Sequence, residues 1–457
     1  MSLGTMSLFG TSGIRGVVNQ DLTVDLCQEV AQVLGTLLPL DAKICLATDT
    51  RLSGGILKKA IFAGLQSSGI DATDLGILPT PVLALLTREW GFDTGVMVTA
   101  SHNPPEFNGI KLFNKNSLGY SRGQELEIER IYAGRRFRQG IREGTLRQGQ
   151  GMAEAYLRFL QDKLPPRRFD GNLKIVVDPG NGAASGIVSR LFADLGIDAV
   201  PLNDIPDGSF PGRNPEPKED TLHNTVQFLR EVKADLAVCF DGDADRVVFC
   251  DREGFLGFNE CIAFISRLVI EESGKKCVAT TVETGRLLDL AVEDLGVKVV
   301  RGRVGDVHVA YLAQETDAAI GVEQVGVYII PKVGYYPDSI FAALTLLSRL
   351  EDVGEIREFL KKLPRLFFDK SKVSCPNELK EPAMEMVKSR ASLFGAAEVN
   401  ALDGVRLESG DSWMLIRASG TEPIIRVLAE SSSASRTREL MDNGVQTVQR
   451  LLSEVKQ

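Results

Sequence analysis

The segment Asp241-Gly-Asp-Ala-Asp-Arg246 places three carboxylates at alternate positions directly after the apolar run Leu236-Ala-Val-Cys-Phe240. In an extended chain such residues point to one face, and the carboxyl end of a strand is where α/β folds hold ligands. Like charges so close call for a cation, and an all-oxygen set selects a hard ion such as Mg²⁺. A calcium loop is excluded, because Arg246 and Arg252 stand where an EF-hand needs Gly and Glu. A solvated acidic turn is the plain alternative. In a second segment, Val96-Met-Val-Thr-Ala100 leads into Ser101-His-Asn-Pro-Pro105 and then Asn108-Gly-Ile-Lys111. Two prolines stiffen a loop with one hydroxyl at a strand end, which suits a nucleophile or phosphoryl carrier as well as a rigid turn. Neighbours in an extended chain point apart, so a Ser101–His102 couple is not expected, and Lys111 is the better candidate for a cationic or proton-transferring group. In a third, Arg417-Ala-Ser-Gly-Thr-Glu-Pro423 followed by Arg426 joins two hydroxyls, a close-approach Gly and two guanidinium forks. That set makes either a phosphate nest or a polar hairpin. Phe9-Gly-Thr-Ser-Gly-Ile-Arg-Gly16 adds a Gly-rich loop with Arg15.

Short apolar runs must deliver these loops, and one grammar occurs three times. The copies are Ile44-Cys-Leu-Ala-Thr-Asp49 to Gly69-Ile70, Lys174-Ile-Val-Val-Asp178 to Gly196-Ile197, and Cys277-Val-Ala-Thr-Thr281 to Gly296-Val297. Each reads as strand, helix, helix-ending Gly and strand, a βαβ unit, so three related α/β domains are expected. Leu164-Pro-Pro-Arg-Arg168 reads as a linker after a helix over Glu154 to Leu164, and Asp251-Arg-Glu-Gly254 as a turn closing the second unit. Leu363 to Cys375 reads as a separator before a tail that lacks the βα grammar. Two β-like runs in that tail, Trp413 to Ile416 and Ile424 to Ala429, with helical stretches Glu381 to Leu393 and Ser435 to Val455, predict a small α+β domain. Asp178 to Gly186 imitates a dinucleotide fingerprint, but its third Gly comes one position late and Pro179 enters the turn, so a plain βα turn is expected.

At 457 residues, 44% hydrophobic and 25% charged, the chain is long enough for several domains and too apolar for disorder. A net charge of -9 argues against a nucleic-acid or acidic-membrane surface. Seven cysteines without a C-x-x-C pair signal neither a disulfide framework nor zinc, and three histidines exclude a His-rich metal centre. No run approaches the roughly 20 apolar residues of a bilayer span, and Met1 to Thr5 show no basic region leading into an apolar stretch, so a cytoplasmic protein is expected.

The Thr99-Ala-Ser-His-Asn-Pro104 loop, the Asp241 to Arg246 loop, the Arg417 to Pro423 loop and Phe9 to Gly16 resemble four motifs of the α-D-phosphohexomutase superfamily. In that family they are the phosphoserine loop, the metal loop, the phosphate-binding loop and the N-terminal signature. The resemblance implies an α/β architecture of three related α/β domains and a smaller C-terminal α+β domain around a central cleft. Boundaries are expected at 1–152, 153–254, 255–366 and 367–457. Catalytic roles are implied for Ser101, which would carry a phosphoryl group, for Lys111 as general acid or base, and for Arg15. Mg²⁺ would be held by Asp241, Asp243, Asp245 and the Ser101 phosphate. Substrate contacts would come from Arg246, Glu323, Arg417, Ser419, Gly420, Thr421 and Arg426. The implied reaction interconverts hexose or hexosamine 1-phosphate and 6-phosphate, with hexose 1,6-bisphosphate as intermediate or activator. The chain departs from the family in its sugar-recognition loop, where Val322-Glu-Gln-Val-Gly326 and Val327 replace Gly-Glu-x-Ser-Gly and a frequent His. Val325 forgoes a hydrogen bond worth about 0.5–1.5 kcal/mol net, and Val322 resists any backbone angle that needs Gly. In Val304-Gly-Asp-Val-His308, Val307 stands where Arg often follows the Asp, leaving His308 either a compensating or a structural residue. A non-catalytic sugar-phosphate binding protein and a phosphosugar phosphatase stand as alternatives, and the sugar is left open among glucosamine, glucose and mannose.

Overall fold

The computed structural model describes residues 8–10, 12–164, 173–391, 398–420 and 422–455. The Pro165 to Arg168 part of the expected linker, Met1 to Thr5 and Thr421 lie outside these residues. Three sheets repeat one plan. Each starts on a strand with little exposure on either face, Lys43–Thr48, Lys174–Asp178 and Cys277–Thr281, as continuous apolar runs require in a parallel sheet covered on both sides. Helices Gly54–Ser67, Val188–Asp194 and Leu287–Val292 follow. The expected helix-ending glycines, 69, 196 and 296, all have positive φ, and the chain returns as a parallel neighbour in Asp71–Ile77, Asp198–Pro201 and Lys298–Gly302. On the other side of each starting strand lies a third parallel strand, Thr94–Val98, Leu236–Phe240 or Ile320–Glu323. Each third strand then doubles back into an antiparallel fourth: Phe107–Asn114, Val247–Asp251 or Val327–Ile329.

The three hairpin connections between third and fourth strands are therefore equivalent, and they contain Ser101, Asp241 to Arg246, and the turn after Glu323. Ile14–Val17 adds to the first sheet beside Phe107–Asn114, with Arg15 opposite Gly109. One hydrophobic core runs from Met97 and Leu83 through Phe240 and Val247 to Tyr328 and Phe341, so the three units pack as a continuous body.

The tail departs from the expectation in two ways. Its antiparallel sheet has five strands, in the order Phe367–Ser374, Ile424–Ser431, Ser412–Ala418, Val405–Ser409 and Glu398–Asn400. The segment read as a separator is thus an edge strand, paired with Ile424–Ser431 through eight positions. Its exposed, lysine-bearing FFDKSKVS sequence hides the strand signal and suits an edge. The helix expected from Glu381 is Asn377–Ser389 and carries Pro382 inside it. Among the described residues no helix is long and apolar enough to cross a membrane.

Candidate active site

Ser101 sits where the first hairpin leaves strand Thr94–Val98, with φ +53. Left-handed backbone costs a residue with a side chain about 1–3 kcal/mol and persists only where its surroundings impose it. Its Oγ donates to Asp241 Oδ2 at 2.6 Å and lies 3.4 Å from Asp245 Oδ1. The expected separation from His102 is corrected here. Ser101 is not extended, and its turn brings Oγ to 3.2 Å from His102 Nδ1. Burial, then the charges of Arg246, Arg15 and Lys111, hold the imidazole well below its ordinary pKa and therefore neutral.

Asp241, Asp243 and Asp245 are buried and each offers an oxygen within 4.8 Å of the others. Ala244 reverses the chain at φ +57, and a Cβ on Gly242 would come within 2.5 Å of the Ser101 carbonyl oxygen, so glycine is what lets the two loops touch. Burial and mutual repulsion push Asp241 and Asp245 up. Burial also pushes at Asp243, but Lys111 overrides it and keeps that carboxyl low. Lys111 Nζ bonds Asp243 Oδ2 at 2.8 Å and also reaches Asp245. Burial opposes its charge, yet the two carboxylates win and hold the ammonium above its ordinary range. Thr80 Oγ1 donates to Asp243 at 2.6 Å, while Asp243 Oδ1 is buried without a partner. An orphaned carboxylate oxygen beside two carboxyls that resist ionisation fits a hard divalent cation.

Arg15 Nη1 donates to Asn103 Oδ1 at 2.7 Å. The Arg246 guanidinium lies 3.9 Å from Asp245 and its buried Nε has no hydrogen-bond partner. Its own strand joins the third unit, where Val247 N donates to the Gly326 carbonyl at 2.9 Å. That turn accommodates the Val322 backbone. Val322 lies in a regular strand opposite Tyr328, and the one left-handed position, φ +83, falls on Gly326. Val325 is half-buried against the cluster of Leu118, Val327 and Ile329. Glu323 accepts from Gly305 N at 2.8 Å, and burial with Asp306 nearby pushes it up to about 8. His308 is half-buried in helix Asp306–Glu315.

The fourth set stands apart. Among the described residues no hydrogen bond or ion pair joins Arg417 or Arg426 to the Ser101 cluster. Arg417 pairs with Glu283 at 3.1 Å and Asp403 at 3.0 Å, and Arg426 with Glu422 at 2.8 Å. Ser419 Oγ accepts from Glu422 N, Gly420 is exposed, and Lys380 Nζ donates to the carbonyls of Ser419 and Glu422. The segment from Val304 to Asp306 bridges the two halves: Val304 N donates to Asp403 and Ser12 Oγ to Asp306.

Profiles of the phosphoglucomutase/phosphomannomutase family match the chain in four consecutive blocks. They are α/β/α domain I over residues 6–139, domain II over 154–254, domain III over 258–367 and the C-terminal domain over 372–445. The chain belongs to this family. The phosphohexomutase is 38% identical to a protein of Methanopyrus kandleri described as a probable phosphoglucosamine mutase, over 98% of this chain and 99% of that one. A protein of Thermococcus kodakarensis with the same description is also 38% identical, over 98% and 99%. The crystal structure of a phosphoglucomutase/phosphomannomutase family protein from Burkholderia thailandensis covers 98% of both chains, with a TM-score of 0.85 and 26% identity. The protein is thus a phosphohexomutase, an isomerase.

Sequence reasoning missed Thr80, Asp49, Arg51, Glu283 and Asp403 in this phosphohexomutase. Asp49 and Asp178 carry the one available signal, since an acid stands at the end of the starting strand in the first two of the three repeats.

Proposed function

We propose that this phosphohexomutase interconverts hexosamine 1-phosphate and 6-phosphate, with glucosamine the first sugar to test, through a phosphoryl group carried on Ser101. The observation that carries the reading is the Ser101 hydroxyl held 2.6 Å from Asp241, at the edge of three buried carboxylates. The relatives from Methanopyrus kandleri and Thermococcus kodakarensis, each described as a probable phosphoglucosamine mutase, support glucosamine. In the reaction, the bond between phosphorus and Ser101 Oγ breaks as the sugar's free hydroxyl bonds to phosphorus. The hydroxyl proton passes to the protein and the Ser101 alkoxide regains one. The bisphosphorylated sugar then turns, and its other phosphoryl returns to Ser101, releasing the isomer. Lys111 is the group proposed to move the proton, and Arg15 and Arg246 offset charge on the transferring phosphoryl. Arg417, Ser419, Gly420, Thr421 and Arg426 would grip the phosphate at the far end of the sugar, and Glu323 the sugar hydroxyls. Asp241, Asp243 and Asp245 would hold Mg²⁺ together with the Ser101 phosphate, and the ion when bound neutralises phosphoryl charge. Working boundaries of 1–152, 153–254, 255–366 and 367–457 remain part of this proposal. The altered loop at 322–327 is the feature that would suit a non-catalytic binding protein, and Ser101 with its three carboxylates counts against that reading.

Phosphorus NMR of glucosamine, glucose, mannose and N-acetylglucosamine 1-phosphates, each with protein, Mg²⁺ and a trace of hexose 1,6-bisphosphate, tests it. A 6-phosphate signal growing fastest from glucosamine 1-phosphate is expected, and its absence with Ser101→Ala. Free phosphate instead would mean hydrolysis, and undiminished turnover by Ser101→Ala would remove the carrier.

A further inference from the structure

We propose that Arg51 is a positioning residue for phosphoryl transfer, fixing the Ser101 hydroxyl against the carboxylates of Asp241 to Asp245; this rests on Ser101 being the phosphoryl carrier. Arg51 is 2% exposed, and its donors converge on one loop. Nε pairs with Asp49 Oδ2 at 3.0 Å. Nη1 donates to the carbonyls of Pro104 at 2.5 Å and Phe107 at 2.9 Å, and Nη2 to those of Asn103 at 2.5 Å and Ser101 at 3.1 Å. A planar fork with five donors in fixed directions holds these four carbonyls and a carboxylate at once, which the three donors of a single ammonium cannot match.

Asp49 completes the device from the other side. Its Oδ2 also accepts the Thr99 hydroxyl at 2.7 Å. With its hydrogen so committed, Thr99 Oγ1 acts as acceptor for Ser101 N–H at 2.8 Å. Ser101 is thus gripped at its N–H through Thr99 and at its C=O by Arg51, on both sides of the φ of +53 that aims its hydroxyl. Arg51 Cζ lies over the ring of Phe210, in the second unit, 5.2 Å from its centroid. Phe210 Cε1 is in turn 3.6 Å from the position of a Cβ on Gly242, inside the carboxylate loop. Arg51 therefore touches the serine loop and leans on the residue beneath the carboxylates, which ties one to the other.

The second unit repeats the construction at the equivalent strand end. Arg213 pairs with Asp178 at 3.0 Å and donates to the carbonyl of Phe240, the residue before Asp241, at 2.6 Å. The same Asp–Arg clamp thus holds both loops whose separation in-line transfer depends on. A misplacement of about 1 Å costs roughly 100-fold in such a step.

The test mixes dephosphorylated protein with saturating hexose 1,6-bisphosphate and Mg²⁺ and follows phosphate on Ser101 by mass, alongside kcat and KM for glucosamine 1-phosphate. Arg51→Lys is expected to slow labelling about 100-fold with KM changed less than about threefold. Thr99→Val, which removes both the acceptor for Ser101 N–H and the donor to Asp49, should slow it in the same sense, and Thr99→Ser should restore it. If Arg51→Lys fails to fold, the Thr99 pair decides alone. Wild-type labelling in Arg51→Lys and Thr99→Val overturns the clamp, as does a loss that resides in KM or that Thr99→Ser leaves unrescued. Absence of label on wild-type Ser101 overturns the carrier reading itself, and the clamp with it.

Discussion

A serine hydroxyl acquires reactivity from its neighbours, and those of Ser101 are acids that do not want to ionise together. Three buried carboxyls within 4.8 Å repel one another, and Lys111 neutralises them only in part, reaching Asp243 and Asp245 while Asp241 stays pushed well up. Without a cation the cluster therefore works against the fold, and the proposed Mg²⁺ would offset that repulsion. Asp241→Asn keeps an oxygen to accept the Ser101 hydroxyl and removes one charge. In EDTA this variant should unfold about 1–2 kcal/mol later than the wild type. With Mg²⁺ present it should lose turnover by about 100-fold or more. Urea unfolding with and without EDTA, beside the mutase assay, checks both halves. A variant less stable in EDTA that still turns over would remove the metal role. The carboxylates were legible because three alternating acids at a strand end have few structural uses. Thr80 was not, because it meets Asp243 across 163 positions of sequence and nothing local marks it.

At the scale of elements, one hairpin position was used three times, and the periodic apolar runs made that repeat readable. What stayed hidden was how elements lock the loops. Helix Ser339–Leu347 is buried along its whole length, and its first residue donates from Ser339 Oγ to the carbonyl of Ala244, between two of the carboxylates. Asp338 caps it, accepting from Phe341 N at 2.9 Å and Tyr156 Oη at 2.7 Å, while its other oxygen is buried without a partner. Burial pushes this acid up to about 6. Its folded pKa thus exceeds the unfolded value near 3.9, so the native state binds the proton more tightly. Stability from this group is full below about pH 4, falls as pH rises toward 6, and stays lower above, by on the order of 2–3 kcal/mol. Asp338→Asn retains the capping oxygen and cannot ionise, so the difference between wild-type and variant stability should shift by that amount between pH 4 and pH 7. Chemical denaturation at the two pH values measures it, and parallel behaviour of the two proteins would show that Asp338 does not titrate there.

Across the whole molecule, the first three units share a core, while the last meets them through polar anchors around a small apolar cluster of Val282 and Val304 with Trp413, Leu415 and Leu428. This explains why the sequence pattern exposed the repeat and left the tail half-read: three of its five strands were missed, and the residue that docks it looks like any surface arginine. Arg406 is fully buried. Its Nη1 donates to the carbonyls of Val282 at 2.7 Å and Thr284 at 3.0 Å in the third unit, and its guanidinium lies 3.9 Å from the centroid of the Trp413 ring. Glu430 accepts from both Trp413 Nε1 at 2.8 Å and Arg286 N at 2.7 Å. The same face carries the Arg417–Glu283 pair, so docking of the tail sets where the proposed phosphate grip sits relative to the third unit. Arg406→Met fills much of the volume but leaves two buried carbonyls unpaired, at a cost of about 2–4 kcal/mol to the interface. The chain has two tryptophans, so in a Trp90→Phe background Trp413 alone reports on this contact. Its fluorescence transition in urea should move to lower denaturant in Arg406→Met. Circular dichroism, dominated by the first three units, should keep its midpoint, and the two curves should separate. Coincident curves would instead mean that the tail is held cooperatively by contacts other than Arg406.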